Sequence, residues 1–176
     1  MVETVITDDG PRFPGVYVLL LGLEKDTPIP VGRLGTSIFP KGWYAYVGSA
    51  MGGLSGRIRH HRRQAHPRPH WHIDYLVPHC ALSAVLAART SERLECDLAA
   101  LLAERFSVIP RFGSSDCRCL GHLLHSEDGE LITNAAMAAI KAVGCRPEVV
   151  LLSSGRPQLA EVSCHQSTGR VHGVEG

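Results

Sequence analysis

The fold of this chain depends on residues 42–72, which read GWYAYVGSAMGGLSGRIRHHRRQAHPRPHWH. The aromatic start favours a strand, because Trp, Tyr and Val suit a pleated, half-buried surface. The glycines that follow permit a tight turn. Leu54, Ile58 and Ala65 then fall on one side of a helix whose other side is almost entirely Arg and His. We therefore predict a strand, a glycine turn and a basic helix.

The basic helix shows how unevenly charge is distributed along this chain. The formal net charge of the 176 residues is only +1, yet no Asp or Glu occurs between Asp26 and Asp74. Such a patch is typical of nucleic-acid binders, although a run of charge can also be a solvated helix face. We predict DNA or RNA as the partner, bound without sequence preference. The predicted contacts to the polyanion are Arg59, His60, Arg62, Arg63 and Arg68.

The remaining sequence predicts an α/β fold of the α+β type. The apolar content of 44% and the length suit one globular domain with a core. Residues 16–21 and 81–88 are apolar runs that indicate buried strands, and residues 24–41 fit an extended hairpin. Ser91 is a candidate N-cap for a helix with leucines at helical spacing. We expect a small, mainly antiparallel central sheet flanked by the basic helix and the Ser91 helix.

Composition divides the chain into three segments. We predict an N-terminal lead at residues 1–13, the main domain at residues 14–127 and a partly disordered extension at residues 128–176. Within the extension, residues 134–143 favour a helix and residues 148–152 favour a strand. Residues 163–176 should be mobile, because they offer too little apolar surface to offset the entropy of ordering them.

The N-terminus lacks the basic start and apolar core of a signal peptide. No apolar run approaches the roughly 20 residues of a membrane span. We therefore predict a cytoplasmic protein with no membrane partner, and the sequence leaves its oligomeric state open. In that compartment the six cysteines should be free or bound to metal.

Several motifs resemble the signature of the GIY-YIG nuclease superfamily. They are GVY at residues 15–17, YVG at residues 46–48, and Arg57 and His61 on the predicted helix. The strings YVGSA, HWHIDYL, EC and GSSDCRC resemble more closely a small prokaryotic subfamily, whose members stand alone or are fused to endonuclease III type DNA glycosylases. The hairpin between the two tripeptides carries an insertion relative to the wider family. The resemblance implies a repair- or structure-related nuclease and an association with a DNA glycosylase.

The implied chemistry is metal-assisted hydrolysis of a phosphodiester bond in DNA or RNA. This reaction needs positive charge near the phosphate oxygens and a base for the attacking water. The resemblance implies that Glu95 holds Mg²⁺ or Mn²⁺ and that Arg57 clamps a phosphate oxygen. Glu95 also lies at the border of the buried face of its predicted helix. Asp74 or Asp97 could take the place of Glu95.

The resemblance also assigns roles to three aromatic residues. Tyr17 would act on the attacking water as a base or a positioning group, and Tyr46 would hydrogen-bond the phosphate or that water. His61 would orient Tyr17 or share its proton. Without the resemblance, both tyrosines would be read as strand residues with satisfied hydroxyls, and His61 as a packed core residue.

A Cys-x-Cys-x-x-His run offers a second site. Cys117, Cys119 and His122 can supply three zinc ligands, because zinc favours thiolate and imidazole in a tetrahedral shell. The fourth ligand would be Cys80, Cys96 or His125, and the alternative is a loop with buried thiols. Three functions therefore stay open: a metal-dependent nuclease, a non-catalytic nucleic-acid-binding module and a zinc-stabilised interaction module.

Overall fold

The computed structural model describes residues 3–4, 12–63 and 67–150. The strands are β1 (Glu3–Thr4), β2 (Gly15–Leu23), β3 (Thr27–Pro30), β4 (Thr36–Phe39), β5 (Gly42–Ser49), β6 (Ala81–Arg89), β7 (Ser107–Val108), β8 (Leu123–Ser126) and β9 (Glu148–Val150). The helices are α1 (Leu54–Arg62), α2 (Ile73–Leu76), α3 (Glu95–Ala103) and α4 (Gly129–Ala142). Short 3-10 turns occur at Gly32–Leu34 and Val77–His79.

Within the described residues, seven strands form one sheet in the order β1-β9-β6-β2-β5-β8-β7. The β1 and β9 strands pair in parallel, and all other neighbours in the sheet are antiparallel. The β3 and β4 strands form a separate hairpin in the insertion between β2 and β5. The long apolar β2 lies at the centre, where both of its faces are buried. The predicted α+β fold with a mainly antiparallel sheet flanked by helices is confirmed.

Side chains alternate across the central strands and supply a core on each face of the sheet. The first core lies beneath α1, α2 and the hairpin and includes Tyr17, Leu19, Tyr46, Leu54 and Ile58. The second core lies beneath α3 and α4 and includes Val18, Leu20, Leu98, Ala136 and Ile140. The two tyrosines of the predicted site thus face α1, because both occupy the same side of the pleat.

The predicted strand, glycine turn and basic helix are confirmed by β5 and α1. The Ser91 helix begins later than predicted, at Glu95, with Leu94 at its N-cap position. The hydroxyl of Thr90 accepts a hydrogen bond from the backbone N–H of Glu92, so the preceding residues form a turn of their own. The Ser91 N-cap prediction is therefore wrong, although the helix it introduces is present.

The predicted boundary at residue 127 does not separate two folded units. The α4 helix packs on the same sheet, and β9 pairs with β6 at its edge. The helix begins at Gly129, because the Asp128 side chain accepts a hydrogen bond from the backbone N–H of Leu131 at 2.9 Å. Residues 163–176, predicted to be mobile, lie outside the described residues. None of the helices that the structure describes is long and apolar enough to cross a membrane.

Candidate active site

Tyr17 lies flat against the neighbouring strand because it pairs there with a glycine. In the register of β2 and β5, Tyr17 lies opposite Gly48. A Cβ atom at position 48 would lie 2.5 Å from Cζ of Tyr17 and closer still to its hydroxyl oxygen. The glycine therefore leaves room for the tyrosine ring, whose relative exposure is 0%.

The Tyr17 hydroxyl contacts His61 on α1. The Tyr17 oxygen lies 2.8 Å from Nε2 of His61, and the exposure of His61 is 1%. Tyr46 lies beside both, with its ring centroid 6.5 Å from that of Tyr17 and 6.3 Å from that of His61. The three aromatic residues of the predicted site are thus in one buried cluster.

Burial makes both tyrosines harder to deprotonate than an ordinary tyrosine, which is already neutral near pH 7. Loss of solvent raises the pKa of Tyr17 to about 12, although the nearby positive charge of Arg57 acts in the opposite direction. Burial likewise raises the pKa of Tyr46 above its ordinary value. The neutral Tyr17 hydroxyl can donate its proton to Nε2 of His61 when the ring proton of His61 is on Nδ1. A proton leaving Tyr17 has an acceptor already in contact.

Arg57 and Glu95 lie close to this cluster. The guanidinium carbon of Arg57 lies 4.2 Å from the ring centroid of Trp71, a stacking contact that orients the side chain. Glu95 begins α3, and its charge acts on the pKa of both Tyr17 and His122. Its Oε2 atom is buried and has no hydrogen-bond partner among the described residues. A buried carboxylate oxygen of this kind is costly unless a cation or a donor contacts it.

Asp74, an alternative to Glu95, has a different function in the structure. Its carboxylate accepts hydrogen bonds from the backbone N–H groups of His70 at 2.8 Å and Trp71 at 3.0 Å, and contacts Nε2 of His60 at 2.9 Å. Burial alone would raise the pKa of Asp74, but these bonds hold it below its ordinary value. Asp74 thus fixes the segment that carries Trp71, while Asp97 is exposed.

The basic face is only partly as predicted. Exposed cations are Arg59, Arg62, Arg63 and Arg68. His60 is half-buried, contacts Asp74 and packs edge-on against Trp71 with ring centroids 4.7 Å apart. The His60 ring therefore supports the segment that carries Trp71, which it contacts directly. No role was predicted from the sequence for Trp71 or for its support by His60 and Asp74. The HWHID string could have indicated it, because Asp74 follows Trp71 by three residues.

His72 connects the same segment to the loop before β8. Its Nδ1 atom accepts a hydrogen bond from the backbone N–H of Gly113 at 3.0 Å. Gly113 has a φ angle of 74°, and a Cβ atom there would lie 2.8 Å from the Tyr46 ring. The bond requires a neutral His72. Burial favours this neutral form, because it lowers the pKa of the imidazole.

We expect this bond to make the stability of the protein sensitive to acid. Because the folded pKa of His72 is lowered, the unfolded chain takes up the proton first as the pH falls below the ordinary value of 6.5. The contribution of neutral His72 to the free energy of unfolding should therefore be fully present above that pH. As the pH falls, this contribution should decline until the pH is below the folded pKa. Urea unfolding at a series of pH values measures this slope.

The control for the pH effect is His72→Asn, which retains a hydrogen-bond acceptor and does not titrate. This variant should lose stability less steeply with falling pH than the wild type does. Equal slopes in the two proteins would show that His72 does not cause the effect.

The cysteine-histidine cluster comprises Cys96, Cys117, Cys119 and His122, whose ligand atoms all lie within 4.8 Å of one another. The Nε2 atom of His122 is 3.8 Å from Sγ of Cys96 and 3.5 Å from Sγ of Cys117. In a tetrahedral zinc site, with Zn–S near 2.3 Å and Zn–N near 2.0 Å, sulfur and nitrogen lie about 3.5 Å apart. These residues could hold such a metal, whereas Mg²⁺ requires oxygen ligands.

The structure selects Cys96 as the fourth member of the cluster. Cys80 is buried in the first core, and Nε2 of His125 contacts the carbonyl oxygen of Lys41 at 3.0 Å. Cys96 lies far from the others in sequence and reaches them from the first turn of α3. Burial and the neighbouring thiols raise the pKa of Cys96.

A second group of possible ligands, whose atoms also lie within 4.8 Å of one another, is His60, His61 and Asp74.

Comparison with known proteins gave one family. The family model described as the domain of unknown function DUF123 matches residues 16–145. No curated protein and no solved structure matches the chain. This finding corrects the assignment to the GIY-YIG nuclease superfamily, which is wrong. One of the glycines that carried the resemblance, Gly48, is explained by strand packing, since it makes room for Tyr17.

Proposed function

The chain belongs to the DUF123 family, and from its site we propose that it is a metal-dependent nuclease that hydrolyses phosphodiester bonds in DNA or RNA. One observation carries this proposal. The Tyr17 hydroxyl contacts His61 beside a basic helix face, and the charges of the stacked Arg57 and of the partly buried Glu95 both act on that hydroxyl. These groups match the needs of phosphodiester hydrolysis: a proton acceptor, a cation and a ligand for a divalent ion.

Glu95 is suited to hold Mg²⁺ or Mn²⁺. Its buried oxygen has no hydrogen-bond partner within residues 3–4, 12–63 and 67–150, and Mg²⁺ commonly binds one or two carboxylates together with waters and substrate phosphate. When bound, such an ion stabilises negative charge that develops on the phosphate oxygens. The ion in the cysteine-histidine cluster would be different, because that ligand set has sulfur and nitrogen donors.

The other residues have separate tasks in this proposal. Arg57, oriented by Trp71, binds a phosphate oxygen through its rigid guanidinium group. Tyr17 accepts a proton from the attacking water while its own proton moves to Nε2 of His61. Tyr46 hydrogen-bonds the phosphate or the water. The transfer through Tyr17 avoids a free phenolate, which its raised pKa disfavours.

The proposal is tested with a panel of single-stranded, nicked, flap and branched DNA and structured RNA. We expect cleavage of at least one substrate with Mg²⁺ or Mn²⁺, and binding without cleavage when Ca²⁺ replaces them. Protein that binds these substrates but cleaves none of them with any metal would leave the non-catalytic binding module. The panel also identifies the preferred nucleic acid. Association with a DNA glycosylase stays a prediction.

The exposed arginines specifically favour nucleic-acid binding, with or without cleavage. We expect log Kd to rise linearly with log salt concentration, because bound cations release counterions from the phosphate backbone. Replacing Arg59, Arg62 and Arg63 by Ala should flatten this slope by about one unit per lost phosphate contact. Fluorescence anisotropy with a labelled duplex at several salt concentrations measures the slope.

Arg33 and Arg93 supply the matched control for the salt dependence, because both are exposed cations on other parts of the chain. Their replacement by Ala should leave the slope unchanged. Binding that does not depend on salt, or an equal loss from both sets of variants, would remove the basic face as the binding surface.

We further propose that the cysteine-histidine cluster binds zinc. The purified protein should contain about one zinc per chain, and its removal by a chelator should lower the melting temperature, since metal binding stabilises only the folded chain. Cys119→Ser should reduce the zinc content, whereas Cys145→Ser, outside the cluster, should not. Metal analysis that finds no zinc in wild-type protein would support a loop of buried thiols.

A further inference from the structure

The metal cluster and the carboxylate of the proposed nuclease site are adjacent in sequence and in space. Glu95 and Cys96 are consecutive residues in the first turn of α3. The sulfur of Cys96 belongs to the cluster, while the charge of Glu95 acts on both Tyr17 and His122. Glu95 therefore lies near both the tyrosine pair and the metal ligands.

The loop that supplies the other ligands is firmly attached to the site. Its Phe112 is fully buried against Tyr46, with ring centroids 6.1 Å apart. The carbonyl oxygen of His122 accepts a hydrogen bond from the backbone N–H of Val47 at 2.9 Å. The ligands Cys117, Cys119 and His122 thus belong to a loop fixed to the strand that carries Tyr46.

The first turn of α3 has few polar attachments within the described residues. Its N-cap residue, Leu94, packs against the second core but provides no side-chain hydrogen bond, and the buried residues of the helix begin only at Leu98. Glu95 itself has a carboxylate oxygen with no hydrogen-bond partner in the described part of the chain. A bond from Cys96 to a metal ion would therefore add a direct link between this turn and the loop.

We propose that the ion held by Cys96, Cys117, Cys119 and His122 positions Glu95 for binding the second, divalent ion of the nuclease site. The inference rests on the proposed function. It adds that one metal ion has a structural role and a second one acts in the nuclease site. A site with four protein ligands is closed and structural, while Glu95 offers a carboxylate oxygen with no hydrogen-bond partner in the described residues. Supporting groups of this kind typically change the metal affinity of a site by about 10- to 100-fold.

The test measures Mn²⁺ binding directly, through the electron paramagnetic resonance signal of free Mn²⁺. Zinc-free Cys119→Ser should bind Mn²⁺ about 10- to 100-fold more weakly than the zinc-loaded wild type. Cys145→Ser should bind it as the wild type does. Cys119→His, which restores a zinc ligand, should recover the Mn²⁺ affinity. Glu95→Gln is the reference for a protein that lacks the Mn²⁺ site.

Circular dichroism and nucleic-acid binding show whether the Cys119→Ser variant is folded. If it is not, zinc is removed from the wild type with a chelator that is then dialysed away, and Mn²⁺ binding to this zinc-free protein should be weaker than to the zinc-loaded protein. Unchanged Mn²⁺ affinity in folded zinc-free protein would overturn the inference. So would wild-type protein that holds no zinc.

The same titration separates this inference from the proposed function. If Mn²⁺ affinity depends on the cluster but no substrate is cleaved, the positioning of Glu95 stands and the nuclease proposal is wrong. If cleavage occurs and Mn²⁺ affinity is independent of the cluster, the nuclease stands and the positioning is wrong. Wild-type protein that binds zinc but no Mn²⁺ overturns both.

Discussion

Replacing Glu95 by Gln should lower the rate of phosphodiester cleavage by about 10²- to 10³-fold, while binding of nucleic acid changes little. The amide has nearly the same shape as the carboxylate but lacks the charge that attracts a divalent ion. Since this ion acts mainly on charge that develops in the transition state, its loss reduces kcat far more than substrate affinity. Single-turnover cleavage and fluorescence anisotropy measure the two effects separately.

Arg57→Ala should give a loss of similar size for a related reason. Its guanidinium would contact the phosphate oxygen on which negative charge accumulates. The matched controls are Glu92→Gln and Arg59→Ala, which alter an exposed acid before α3 and an exposed cation on α1. Cleavage that survives Glu95→Gln unchanged would exclude Glu95 as the metal ligand. Equal losses from Arg57→Ala and Arg59→Ala would indicate a general loss of charge.

Gly48→Ala should have the largest effect on stability. The new methyl group would collide with both Cζ and the hydroxyl of Tyr17, and the ring is enclosed in the first core. Overpacking of this kind costs about 1–3 kcal/mol, and contact with a rigid ring favours the upper part of that range. Urea unfolding measures the change in the free energy of unfolding.

Gly56 provides the control for this substitution. It lies exposed on α1, and a Cβ atom there would meet nothing within 4 Å. Gly56→Ala should therefore stabilise the protein by about 0.5–1 kcal/mol, since Ala is the better helix former. In the double variant Tyr17→Phe with Gly48→Ala, part of the lost stability should return because the hydroxyl is absent. A Gly48→Ala protein as stable as the wild type would refute the close packing.

Periodicity was sufficient to place several residues of the site. His61 shares a helical stripe with Leu54 and Ile58, whereas Tyr17 and Tyr46 share a face because the register of β2 and β5 places Tyr46 opposite Leu19. Glu95 was assigned to the border of its helix from the spacing of the leucines that follow. The helical positions of His61 and Glu95 could be predicted because they depend on local geometry alone.

Other parts of the site depend on contacts between distant segments. Cys96 was one of three candidates for the fourth ligand, and only the packing of α3 beside the later loop distinguishes it from Cys80 and His125. His60 was assigned to the exposed face, whereas the position of α2 brings Asp74 to it. The family could not be inferred from short Tyr and Gly motifs, since strand packing also requires them.

The central position of β2 has a consequence during synthesis. This strand has apolar residues at 16–21, without charge or proline, and both of its partners, β5 and β6, lie later in the chain. At about 5–20 residues per second, the ribosome needs several seconds to add the roughly 60 residues between β2 and β6. Until then β2 has an unpaired edge with the features of an aggregating segment. We therefore expect the nascent chain to be more prone to aggregation than the finished fold.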